Sequence, residues 1–171
     1  MTRPGELKLK HLFQPGQFGK FKTKNMVKYG ACCVSNYNTR DGFITPRELA
    51  RMRVIGKAYF RQVAIHDDKF LPQFEMIARY IHDAGAVAIQ QILHAGRYGG
   101  IDLGYCVQPS VVPQTLPHFR PPRELTKEQI KAVVQQHADA AKRSIRAGFD
   151  GTEVTSFMGY LLANFNSRFT N

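Results

Sequence analysis

AGAVAIQQILHAGRYGG, residues 84–100, sets the fold class of this 171-residue chain. Gly85 sits where a helix stops, because glycine takes the left-handed backbone that closes a helix end at no steric cost. The chain then enters Ala86–Leu93, apolar on both faces, as a strand covered on both sides must be. The pattern recurs as Ala147-Gly148 before FDGTEV, residues 149–154. Helix, glycine, buried strand, repeated, predicts an α/β fold with parallel strands.

The helices announce themselves by their starts. Thr45-Pro46-Arg47-Glu48 and Thr126-Lys127-Glu128-Gln129 both have a capping residue with a Glu or Gln three positions on. A third helix follows Asp67-Asp68, with Leu71, Phe74, Ile77, Ala78 and Ile81 at helical spacing. After Thr126 the apolar positions are Ile130, Val133, Val134, Ala138, Ala141 and Ile145. Phe13, Phe18 and Phe21 with Gly16 and Gly19 suggest a small hairpin, and Met26 to Val34 is expected as a core strand. The connection from Tyr98 to Leu125 is long and holds five prolines, at 109, 113, 117, 121 and 122. It leaves the C-terminal end of a strand, where α/β enzymes keep their active sites.

Composition narrows the partners. A formal net charge of +11 suits an anionic small molecule or a nucleic acid. The lysines cluster in Lys8–Lys28 but the arginines scatter, and no recognition helix, zinc finger or RNP motif accompanies them. We therefore expect no nucleic-acid partner. No apolar run reaches the roughly 18 residues of a membrane span, and the N-terminus lacks a signal peptide's apolar stretch. Cys32, Cys33 and Cys106 have no metal-binding spacing and form no disulfide framework. Reduced thiols, no metal and a cytoplasmic location are expected.

Chemistry concentrates around the quoted stretch. Gln91 offers both a donor and an acceptor to a heterocycle's amide-like edge, the alternative being a core glutamine bonded to neighbouring backbone. His94, Gly96 and Arg97 stand at the strand's exit. His94 alone is read as a structural hydrogen bonder.

A glutamine strand followed by HAGR resembles the old yellow enzyme family of flavin-dependent reductases, in its 2,4-dienoyl-CoA reductase-like branch. The resemblance extends over most of the chain. It takes in LFQPGQFGKFKTKN as a hairpin, MVKYGACC as a first strand with DGFIT after it, PRELT before a helix, and AGFDGTEV…GYLLANF…N as a fourth strand and its extension. It implies the N-terminal part of a (β/α)8 TIM barrel over residues 1–171, roughly strands 1, 3 and 4 with their helices. FMN binding is implied, with hydride passing from NAD(P)H through the flavin to an activated C=C bond. An iron–sulfur cluster and FAD belong, by the same resemblance, only to a longer parent chain.

Site residues follow from the matched motifs. Gln91 falls on the residue that bonds the flavin's pyrimidine edge. Ala31, Cys32 and Cys33 fall on the turn beside the ring, Ala31 replacing the usual proline. Cys33, where relatives carry Thr, Gly or Cys, sits near flavin N5 and O4, unless it is only a small buried hydrophobe. Tyr160 falls on the proton donor; a phenol ionises near pH ~10 and so stays protonated at neutral pH. Arg97, Thr155 and Met158 are expected at the substrate. The last two stand where relatives carry a His-x-x-His or His-x-x-Asn pair for a carbonyl or phenolate oxygen. Their loss favours a bulky thioester or polycyclic acid over a simple enone.

Two further expectations concern the sheet. The second barrel strand has no counterpart near Val54–Gly56, and the chain stops after the fourth. A non-catalytic half-barrel that associates with a partner half, or with a second copy through exposed edges, is the alternative.

Overall fold

The computed structural model describes residues 9, 11–31, 39, 41–47, 63–99, 106–112 and 121–171. Its elements are β1 (Gly16–Phe18), β2 (Phe21–Thr23), α1 (Leu71–Asp83), β3 (Ile89–Ile92), β4 (Cys106–Gln108), β5 (Pro122–Glu124), α2 (Lys127–Arg146), β6 (Gly151–Val154) and α3 (Leu161–Asn166). The chain forms two compact units, Met1–Ile89 with Arg143–Gly151, and Gln90–Lys142 with Thr152–Asn171.

In the first unit, β1 and β2 form the expected antiparallel hairpin, Phe18 pairing with Phe21. Gly19 opens its two-residue turn at φ +56, a conformation that glycine adopts without steric cost. Pro46 and Arg47 begin the helix predicted from Thr45; residues 54–56, where the second strand is expected to lack a counterpart, lie outside the described residues. A 3₁₀ turn, Asp68–Phe70, leads into α1, and the Lys69 amide donates to Asp67 Oδ1 at 2.9 Å. That satisfies one of the donors a helix start leaves open. The predicted apolar stripe is real: Phe74, Ile77 and Ala78 are buried with Phe70, Ala88, Ala147 and Phe149. Phe74 and Phe149 meet edge to face at 6.1 Å. Burying one such ring contributes about 1.5–3 kcal/mol.

Both glycine helix ends behave as the sequence implies. Gly85 (φ +67) donates to His82 O while Ala86 donates to Ile81 O; Gly148 (φ +89) donates to Ile145 O while Phe149 donates to Ser144 O. These are two copies of one Schellman closure. At the other end of α2, Thr126 and Gln129 exchange side-chain bonds to each other's amides at 2.8 and 3.2 Å, completing the capping box.

β3 and β6 pair as neighbours in one sheet. Asp150 N donates to Ala88 O and, further along, Thr155 N donates to Ile92 O, so the strands run parallel. β3 is shorter than the expected 86–93. One cause is that Asp150 Oδ2 takes the Ala88 amide at 2.8 Å, a side-chain bond where a ladder bond would otherwise form. The same oxygen lies 2.8 Å from His82 Nε2.

Burial pushes the Asp150 carboxyl up, but the bonds from His82 and the Ala88 amide outweigh it and hold its pKa below the ordinary value. A depressed folded pKa means stability that is present above the unfolded carboxylate pKa and lost as pH falls through the folded one. Asp150→Asn is expected to flatten the stability profile below pH ~4, where the native chain weakens. Urea unfolding at a series of pH values checks this; parallel profiles for the two proteins would contradict it.

One expectation is not met. Among the described residues Met26–Ala31 forms no ladder, and Met26, Val27 and Tyr29 are exposed, while residues 32–34 of the expected Met26–Val34 strand lie outside the described residues. Apolar content marks a strand as fit for burial but does not supply the neighbours that bury it. The Pro-rich connection carries two short strands. In the second unit β4 pairs parallel with β5, Cys106 opposite Pro122 through Gln108 opposite Glu124. Gln108 is fully buried, its amide donating to Val112 O at 2.7 Å while its carbonyl relative, the main-chain O, accepts from Leu125 N.

Candidate functional site

The second unit assembles its site from two strand exits. β3 carries Gln91, and after Ile92 the chain turns through His94 into a 3₁₀ turn, Gly96–Tyr98. β6 carries Glu153 and ends at Val154, with Thr155 next. The segment that follows is strained: Met158 takes φ +55 and Gly159 φ +75, two left-handed residues in succession. Only glycine holds that conformation freely, so Met158 stores of order 1–2 kcal/mol. Tyr160 then returns to extended backbone as the residue before α3.

The two exits are fastened to each other. Leu161 N donates to His94 O at 3.1 Å. Gly96 (φ +59) sits so close to α3 that a Cβ there would lie 2.8 Å from the Leu161 N and Cα. Gly159 faces Arg97 and Tyr98, whose atoms would lie 3.0–3.2 Å from a Cβ. Tyr160, 4% exposed, meets the Tyr98 ring edge to face at 5.8 Å and Phe157 at 6.2 Å. The Arg97 guanidinium lies over the Tyr98 ring at 5.2 Å, near enough for a cation–π attraction.

The expected site residues distribute unevenly. Arg97 and Tyr160 are brought together through Tyr98 and Gly159. Thr155 is buried, and its hydroxyl has no hydrogen-bond partner among the described residues. Met158, 68% exposed, points an apolar side chain outward beside Phe157, itself half exposed. Gln91 donates to Glu153 Oε1 at 2.6 Å. Ala31, in the first unit, is exposed; Cys32 and Cys33 lie outside the described residues. No group of three metal-ligating side chains occurs among the described residues, and no helix there is long and apolar enough to cross a membrane.

Gln91 fits a flavin edge in its donor set. An amide carries two N–H groups and one carbonyl oxygen. Glu153 occupies one N–H and orients the group, which leaves a donor and an acceptor side by side for a ring imide. Glu153 and Tyr98 were not singled out from the sequence. The alternation in GTEV could have indicated that Glu153 shares a face with its strand neighbours, but its pairing with Gln91 depends on the β3–β6 register.

His94 Nδ1 accepts from Gly96 N at 3.0 Å, and its ring stacks on His137 of α2 at 6.3 Å with 13° between planes. Burial, and then the neighbouring His137, hold the His94 pKa below the ordinary value. His137 also lines an apolar cavity of about 400 Å³ with Val133, Val134, Val154, Leu161 and Phe165.

Residues 47–171 match the NADH:flavin oxidoreductase / NADH oxidase family. An NADH oxidase of Thermoanaerobacter brockii is 38% identical over 94% of this chain and 28% of its own length. A metal reductase of Desulforamulus reducens is 33% identical over 94% of this chain and 26% of its own. Among solved structures, a 2-naphthoyl-CoA reductase in complex with 2-naphthoyl-CoA superposes with a TM-score of 0.88 at 29% identity, over 95% of this chain and 29% of that one. An old yellow enzyme homologue from Zymomonas mobilis gives 0.78 at 26%, over 94% of this chain and 52% of that one. The chain thus spans about half or less of these relatives. Its fold is that of part of an old yellow enzyme TIM barrel, with no closed barrel among the described residues.

Proposed function

From the premise that the chain belongs to the NADH:flavin oxidoreductase / NADH oxidase family, we propose that it carries part of the active site of an FMN-dependent ene-reductase. Residues 1–171 are then part of one FMN-binding (β/α)8 domain. The observation that carries this reading is Tyr160, a buried phenol held at the exit of β6 between Tyr98 and a left-handed turn. FMN, when bound, would supply the hydride-transfer chemistry between NAD(P)H and the β-carbon of an activated alkene.

The chain's own residues do the rest. Gln91, oriented by Glu153, binds the pyrimidine edge. Tyr160 holds a proton on its hydroxyl and gives it to the α-carbon, so that hydride and proton together saturate the C=C bond. Thr155 offers one neutral hydroxyl. Met158 offers no donor, only a soft apolar surface, and Arg97 supplies positive charge. That set suits a bulky aromatic or steroid acyl thioester better than a small enone, and the likeness to a protein that holds 2-naphthoyl-CoA supports it. The buried Cys106 side chain fits a reducing compartment, which we take to be the cytoplasm.

Titration with FMN tests the cofactor assignment. Gln91→Leu is expected to weaken binding about tenfold, the worth of one or two net hydrogen bonds. An unchanged affinity would remove Gln91 from the site.

The apolar cavity favours a second reading, in which a second copy of the chain covers Val134 and Val154, both exposed. Sedimentation equilibrium decides between them: a colourless dimer supports association without turnover, and a yellow monomer excludes it.

A further inference from the structure

We propose that His94 is the positioning residue for Tyr160: its unprotonated Nδ1 and its main-chain oxygen together hold the start of α3 in place. The proposal rests on the reading of Tyr160 as proton donor.

Two bonds leave one residue in two directions. Nδ1 accepts the Gly96 amide at 3.0 Å, and the carbonyl oxygen accepts the Leu161 amide at 3.1 Å. The first folds the HAGR turn back on itself. The second ties that turn to the residue directly after Tyr160. Gly96 makes the two bonds interdependent, because its backbone already lies against Leu161 with no room for a Cβ. If the turn shifts, Leu161 and the phenol before it shift too.

The bond to Gly96 also fixes the tautomer. Nδ1 acts as an acceptor, so the neutral ring carries its hydrogen on Nε2. Protonation would put a second hydrogen on Nδ1, facing the Gly96 N–H donor against donor. The surroundings oppose that charge. His137 stacks on the ring from α2, its own Nδ1 2.8 Å from Val133 O. Arg97 and Tyr98 follow on the same turn, and Tyr160 precedes the bonded Leu161. Glu153, the carboxylate of β6, is engaged by Gln91. Burial acts in the same direction. The folded pKa is therefore depressed, and the arrangement is stable above the unfolded histidine value and weakens below it.

Hydrogen exchange in the full chain reads the device without any turnover. Corrected for intrinsic rates, protection at Gly96 and Leu161 is expected to fall up to about tenfold per pH unit below pH ~6.5. The Tyr160 ring carbon resonance, identified by its loss in Tyr160→Phe, should move with the same midpoint. His94→Asn supplies the control, since an asparagine oxygen can accept the amide two residues on and does not titrate. It should keep both signals constant through the acid range. Flat protection in the native chain, or a His94→Asn variant that titrates like it, overturns the proposal. If Tyr160 is not the proton donor, exchange and resonance still titrate while the kinetic test of Tyr160→Phe fails, so the two failures are distinct.

Discussion

Tyr160→Phe is expected to slow alkene reduction by the flavin-loaded protein by roughly 10²–10⁴-fold, the usual effect of losing a positioned general acid. Flavin reduction by NAD(P)H should be nearly unchanged, because that half-reaction requires no proton from the phenol. The substitution is conservative where packing matters. Tyr160 is buried through its ring, and the contacts to Tyr98 and Phe157 are ring contacts that phenylalanine keeps. What it removes is the hydroxyl, and with it the proton destined for the α-carbon. Stopped-flow measurement of the two half-reactions separates the cases. If both slow alike, the hydroxyl serves the structure of the site and not the proton transfer.

Order at the helix ends comes from short-range chemistry, and short-range chemistry is what a sequence displays. Asp67 and the Thr126–Gln129 pair announced two helix starts because a cap must lie within three residues of the amides it serves. Gly85 and Gly148 announced two helix ends because the closing residue needs a positive φ. Gln91 and Tyr160, by contrast, were singled out by the resemblance of their motifs to a known family. Other features depended on partners far away in sequence. The β4–β5 pair joins three-residue strands across a proline-rich connection, too short for any hydrophobic period to register. Whether Gln91 meets Glu153, and whether Tyr98 meets Tyr160, depends on the alignment of segments some sixty residues apart. Met26–Ala31 shows the converse limit: its residues suit a buried strand, yet a strand is buried only by the neighbours that flank it.

Gly96→Ala should be the most damaging single methyl in the second unit, costing roughly 2–5 kcal/mol. About 1–2 kcal/mol comes from holding an L-residue at φ +59. The remainder, typically 1–3 kcal/mol for overpacking, comes from a Cβ placed 2.8 Å from the Leu161 N and Cα. These are backbone atoms at the first turn of α3, and they cannot rotate aside as a side chain does. Gly159→Ala is the proper comparison. It lies in the same unit at φ +75, so it carries a similar conformational penalty, but its close neighbours are the end of the Arg97 side chain and the Tyr98 ring. Those can move by a few tenths of an ångström. Denaturant unfolding, with exchange at Leu161 as a local readout, should therefore find Gly96→Ala the less stable variant. The gap between them measures how firmly the HAGR turn is pressed against the helix that follows Tyr160. Equal losses would mean that α3 yields to the added methyl, and that the turn does not fix where the phenol stands.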